Sequence, residues 1–184
     1  MTLLIIGLVL FIGIHLVPNH DGLRRSLTGT LGENGYKILF SVISVAGLVV
    51  TILGYRQAPN SQVFEPSQTA ITFLPVAMAI AFILLAAAYM PGRIRRLVRH
   101  PMMLGVLIWA GMHLLANGDL ASNILFGAFA LWAVFSILSS ERRGKRLGGA
   151  RVSLVADVAA IVVGLVAFAV VLYFHANLFG VSPI

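Results

Sequence analysis

Five histidines are the residues of this chain best suited to chemistry, and two of them sit where an imidazole is costly. His113 lies inside the apolar run Met102–Ala116, about two-thirds of the way along it. His15, in G-I-H-L-V-P-N-H, closes a second apolar run. Its helical neighbours three and four residues back are Ile12 and Phe11, so its face is apolar. Each has a bland reading when taken alone. His113 can be a neutral ring hydrogen-bonded to a neighbouring helix, and His15 can snorkel toward the interface. Taken together, two histidines on separate helices can be the axial ligands of one haem iron, with apolar helix faces enclosing the macrocycle. At ~1.5 Å per residue each lies ~20 Å from one end of its own run, from opposite sides of a ~30 Å core. The two levels differ by about 10 Å, which helix tilt and an inclined haem plane can bridge.

The remaining candidates lie nearer the edges. His100, between Arg99 and Pro101, can meet an anionic group such as a haem propionate or a phosphate, or stand as a solvated interfacial cation. Arg24, Arg25 and Arg99 can receive propionates in the same way. His175, at the end of the last apolar run, is a reserve ligand that can approach His113 from the same half of the membrane. His20, in P-N-H-D-G, reads as a turn residue. Asp119 follows Asn117-Gly118 and reads as a helix cap, and Asp157 as a cap of its own helix or a partner of Arg151. Trp109, Phe126, Phe129 and Trp132 fit ordinary packing. Gly105, Ala110 and Gly111 form a small-residue face that could admit another helix or a flat ligand. The sequence carries no Ser-His-Asp arrangement, phosphate-binding glycine loop or H-E-x-x-H motif.

These residues need elements to hold them, and composition names the elements. Of 184 residues 59% are hydrophobic and 10% charged, with a mean hydropathy of +0.98. So much apolar surface cannot be buried in one small core, so lipid must solvate much of it. Six runs are expected as spans of an all-α transmembrane helical bundle, forming one integral membrane domain: about 2–17, 38–55, 70–90, 102–116, 120–138 and 154–174. Long apolar runs without period-2 alternation argue against a β-barrel. The Asn117-Gly118-Asp119 turn predicts a hairpin of the fourth and fifth spans. With no cysteine, disulfides, thiolate haem ligation and iron–sulfur clusters are excluded. The first run lacks a basic n-region and is expected to be retained rather than cleaved.

The net charge of +7 sits in short loops, which indicates orientation rather than nucleic-acid binding. Twelve of the thirteen Lys and Arg residues fall in segments 18–37, 91–101 and 139–153, and only Arg56 falls outside them. The positive-inside rule puts the twelve in the cytoplasm and both termini outside.

Four stretches, taken together, resemble one family. They are H-L-V-P-N-H-D-G-L-R-R-S-L-T-G-T-L-G-E-N-G-Y-K, P-G-R-I-R-R-L-V-R-H-P-M-M-L-G, M-H-L-L-A-N-G-D and L-F-G-V-S-P. They resemble the NnrU family over essentially the whole chain. That resemblance implies a context of nitrite and nitric-oxide reduction in denitrifying bacteria. The family is in turn similar to the 15-cis-zeta-carotene isomerase, a membrane enzyme with histidine-held haem b. This second similarity implies haem ligation by His15 and His113, with His100 nearby. The R-H-P step also resembles membrane methyltransferases of the isoprenylcysteine type, which use S-adenosylmethionine. Here Met103 stands where those enzymes usually have Tyr, and only Glu141 echoes their acidic set.

Two classes of function follow. One is a haem-dependent isomerase or redox enzyme acting on a lipophilic substrate or a small gas. The other is a non-catalytic membrane factor that supports nitric-oxide respiration. Open space beside the iron favours the first, and a closed six-coordinate site the second.

Overall fold

In lipid a backbone must satisfy its own N–H and C=O groups, so apolar runs of this length fold as helices. The computed structural model describes residues 1–144 and 152–183. The helices are α1 (Thr2–Leu16), α2 (Asp21–Arg56), α3 (Gln68–Ala87), α4 (Arg93–Val98), α5 (Pro101–Ala116), α6 (Leu120–Arg142) and α7 (Leu154–Phe179). Among the described residues β-structure is limited to an isolated bridge between Gln62 and Asp119. The fold class is all-α, as the composition requires.

Among the described residues five helices are long and apolar enough to cross a membrane: α1 with its 3-10 extension to Asn19, α2, α3, α6 and α7. The expected fourth span, α5, is apolar but has 16 residues, about 24 Å of helix against a ~30 Å core. Exposed apolar side chains such as Val9, Ile38, Val155 and Tyr173 suit a lipid solvent. Lys145, Arg146 and Arg151, three of the expected cytoplasmic cations, lie outside the described residues.

The chain divides into two compact units, Met1–Ser61 and Gln62–Ile184. In the first, α1 packs antiparallel on the second half of α2 at glycines. A Cβ on Gly7 would stand 2.6 Å from Thr51 Oγ1, and one on Gly47 would stand 2.7 Å from the Phe11 nitrogen. Only a hydrogen in place of Cβ allows backbones so close. Segment 18–37, expected as a loop, is mostly helix. Leu23, Leu27 and Leu31 recur every four residues, and Leu27 packs on the cluster of Ile14, Val17 and Tyr36. The break comes at Gly32, whose φ of 71° and ψ of 167° interrupt α2.

In the second unit α3 packs against α5 and α7, and α5 packs against α6, the expected hairpin. Each long helix here starts on a side-chain cap. Ser67 accepts from the Ala70 nitrogen (3.3 Å), Asp119 from Ser122 (2.9 Å) and Ser153 from Ala156 (3.4 Å). Gly105 does serve as a close-packing residue, since a Cβ there would fall 2.8 Å from the Ala81 carbonyl oxygen of α3. Gly111 meets nothing within 4 Å. The α5–α6 turn is held from outside the hairpin, where the Gly118 carbonyl accepts from Val63 (2.7 Å) and Phe64 (3.2 Å).

Candidate functional site

His15 ends α1, and its Nδ1 lies 2.6 Å from the Phe11 carbonyl oxygen one turn back. A carbonyl can only accept, so the proton is on Nδ1 and Nε2 keeps its lone pair. The ring stacks on Phe11 with centroids 4.2 Å apart and meets the edge of Phe40 at 4.9 Å. The apolar face expected for His15 is therefore an aromatic one, within the first unit.

His113 repeats the arrangement in the second unit. Its Nδ1 donates to the Trp109 carbonyl at 2.9 Å, again leaving the lone pair on Nε2. Phe126 of α6 lies against the ring with centroids 4.7 Å apart, and Trp109 lies at 5.7 Å. Trp109 in turn meets Phe126 and Phe129 edge-on at 5.0 and 5.3 Å. These aromatics, read from sequence as ordinary packing, are walls around an imidazole. The signal was available in the spacing: Trp109 and His113 are one helical turn apart, as are Phe126 and Phe129 on the facing helix.

His175, the reserve ligand, lies within electrostatic reach of His113. Its Nδ1 donates to the Val181 carbonyl at 2.8 Å, just past the left-handed Gly180 that ends α7. Among the described residues no group of three or more His, Asp or Glu side chains is placed to hold a bare metal ion. The donor set is one of separate imidazoles, each with its tautomer set by a carbonyl bound to Nδ1. That chemistry fits an iron whose other ligands come from a macrocycle.

A polar cluster forms at the R-H-P step. His100 Nε2 donates to Glu141 Oε1 (2.6 Å), and Arg99 Nη2 donates to Glu141 Oε2 (3.0 Å). The hydrogen bond from His100 is the largest influence on the Glu141 carboxyl and, with the charge of Arg99, holds it below the usual carboxylate range against the opposing effect of burial. The anion that sequence placed at His100 and Arg99 is thus, in this structure, the protein's own Glu141. The backbone between them is strained. Arg99 has φ 60° and ψ −46°, and the His100 nitrogen donates to the Val98 carbonyl at 2.7 Å. This is a γ-turn of the rare positive-φ kind, in a residue with a Cβ. Next in the chain, Pro101 pushes His100 (φ −124°, ψ 54°) out of helical geometry and opens α5 from its first position.

Two further expectations resolve differently. Asp119 caps α6, as the sequence suggested. Asp157 does not cap α7. Ser153 caps α7, while Asp157 Oδ2 and Oδ1 accept from the backbone nitrogens of Arg93 (2.9 Å) and Ile94 (3.0 Å), at the start of α4. Arg151, its other expected partner, lies outside the described residues. In the first unit Arg24 lies 3.8 Å from Glu33, which Lys37 also approaches, and Arg25 Nε donates to the Asp21 carbonyl. His20 stands at the N-terminal boundary of α2 with no side-chain cap bond, a turn residue as read.

A family model described as NnrU protein matches residues 3–183. No curated protein and no solved structure matches the chain.

Proposed function

The chain belongs to the NnrU family and is an integral membrane protein; from that premise we propose that it binds haem b, with His15 and His113 as the axial ligands. The observation that carries this reading is the shared state of the two rings. Each gives its Nδ1 proton to a carbonyl of its own helix and keeps an Nε2 lone pair among aromatic side chains. Histidines that ligate metals commonly make such a bond with the other nitrogen, which fixes ring orientation and raises basicity.

When bound, the haem would supply one-electron chemistry, and His15 and His113 would hold it. The chain's own residues do the rest. Phe11, Phe40, Trp109 and Phe126 line the imidazoles with aromatic surface. A haem carboxylate reaching Arg99 and His100 would have to displace Glu141, as one reaching Arg24 would have to displace Glu33. The reading places the protein in the bacterial inner membrane with both termini periplasmic, and in service of nitrite and nitric-oxide reduction. It acts there as a redox or isomerising enzyme.

The test is an absorption spectrum of the detergent-purified protein with and without dithionite. A Soret band and reduced six-coordinate bands are expected. His113→Ala should abolish the six-coordinate spectrum, and His20→Ala should leave it intact. The absence of a Soret band after haem supplementation, or equal effects of the two substitutions, refutes the reading.

A further inference from the structure

The basic hinge between α3 and α5 is more than a count of charges. α4 packs against α3, α5 and α7, and all of its residues but Arg95 divide between two faces. At about 100° per residue Arg96, Arg93 and Leu97 fall on one arc, while Ile94 and Val98 fall on the other side. The first three are exposed, Leu97 to 85%, and the latter two are half-buried. An apolar residue so exposed beside Arg93 and Arg96 is poorly placed for water and well placed for a lipid interface.

Among the described residues the cations of this face, Arg93 and Arg96, have no acidic partner, nor has Arg95; of the neighbouring arginines, Arg99 is held by Glu141. The helix's own N–H groups are also spoken for, since Asp157 takes those of Arg93 and Ile94. Any anion must therefore be met by guanidinium groups.

We propose that α4 is an interfacial anchor: Arg93 and Arg96 bind anionic phospholipid headgroups while Leu97 inserts among the upper acyl segments. Guanidinium forks suit phosphate oxygens, and attraction to an anionic leaflet adds for each basic side chain near it. Asp157 holds the helix in place, so the headgroup site is fixed relative to α7.

The test uses the full-length protein in nanodiscs of equal phosphatidylglycerol and phosphatidylcholine, followed by extraction and mass spectrometry of the retained lipid. Enrichment of phosphatidylglycerol is expected. Arg96→Gln alone should lower it by about fivefold, and Arg93→Gln with Arg96→Gln should lower it further. Leu97→Ser should reduce retention of both lipids, and Arg56→Gln should leave the preference unchanged. Equal retention of both lipids by the parent protein overturns the proposal. So does an equal fall with Arg56→Gln, or full displacement of lipid by millimolar inorganic phosphate, which would mark a free-anion site. The single Arg96 variant, on an exposed side chain, covers the case in which the double variant fails to fold. The outcome is independent of haem, since a colourless preparation that retains phosphatidylglycerol leaves the anchor standing.

Discussion

Removing the carboxylate of Asp157 should loosen the whole R-H-P hinge, and Gly92→Ala should do so through the same bonds. Asp157 is 7% exposed and gives both oxygens to backbone donors of α4. A helix cap is worth about 0.5–2 kcal/mol, and a hydrogen bond to an ionised group about 1.5–3 kcal/mol. With two such bonds and little solvent to replace them, Asp157→Ala should cost about 2–3 kcal/mol. At Gly92 an added Cβ would fall inside the contact distance of Oδ1 and stand 2.8 Å from Cγ of the same carboxylate. The carboxylate must then move and give up the cap, at a similar cost of about 2 kcal/mol. Because both changes remove one interaction, the double variant should cost about the same as Asp157→Ala alone, with a coupling of about 2 kcal/mol. The assay is reversible unfolding in mixed micelles as the denaturing detergent fraction rises. Tryptophan fluorescence is the probe, since both tryptophans, Trp109 and Trp132, report from the second unit. A double variant that costs the sum of the singles, to within about 0.5 kcal/mol, would show that Gly92 and Asp157 act separately.

Other outcomes can be measured alongside. Arg99→Gly should be more stable than Arg99→Ala by about 1 kcal/mol, the reverse of their order in a helix, because only glycine adopts a φ of 60° without strain. Equal unfolding midpoints would mean the turn is not strained. Glu141 has a lowered folded pKa, so its contribution is present above its unfolded value of about 4.3 and is lost as pH falls through the folded one. The parent protein should therefore lose stability on the acid side, and Glu141→Gln should flatten that limb. An unchanged acid limb in the variant would remove Glu141 from it. In the first unit Gly7→Val should overpack α1 against Thr51 and cost about 1–3 kcal/mol, read as faster proteolysis between α1 and α2. An unaltered cleavage rate would contradict the glycine-mediated contact.

The spans were legible because their cause is local. Each apolar run long enough for the bilayer became a helix, and Asn117-Gly118-Asp119 turned two of them into a hairpin with Asp119 as cap. Segment 18–37 reads as loop from its charges, yet a leucine every fourth residue makes most of it helix, and Gly32 supplies the break. The site was legible only as residue types. His15 and His113 could be chosen from their cost in lipid, but their tautomers depend on carbonyls that no spacing reveals as acceptors. Asp157 was least legible of all. Its partners lie 64 and 63 residues earlier, and a carboxylate in the first turn of a helix looks like that helix's own cap.

The same long-range bonds change what the basic hinge means. A topology signal needs only charge on one side of the membrane, in any conformation. Here the hinge is fixed far more tightly than that. Asp157 of α7 caps its first turn, the Pro91 carbonyl accepts from the Ser153 nitrogen at 3.1 Å, and Glu141 of α6 takes Arg99 and His100 at its far end. Between these anchors Arg99 sits at a backbone geometry that costs about 1–3 kcal/mol. Strain of that size persists only where the surroundings enforce it. Counting cations cannot account for such an arrangement, whereas holding two guanidiniums and a leucine on one fixed face can. The hinge therefore reads as a positioned surface, with Asp157 and Glu141 as the two acids that set its attitude.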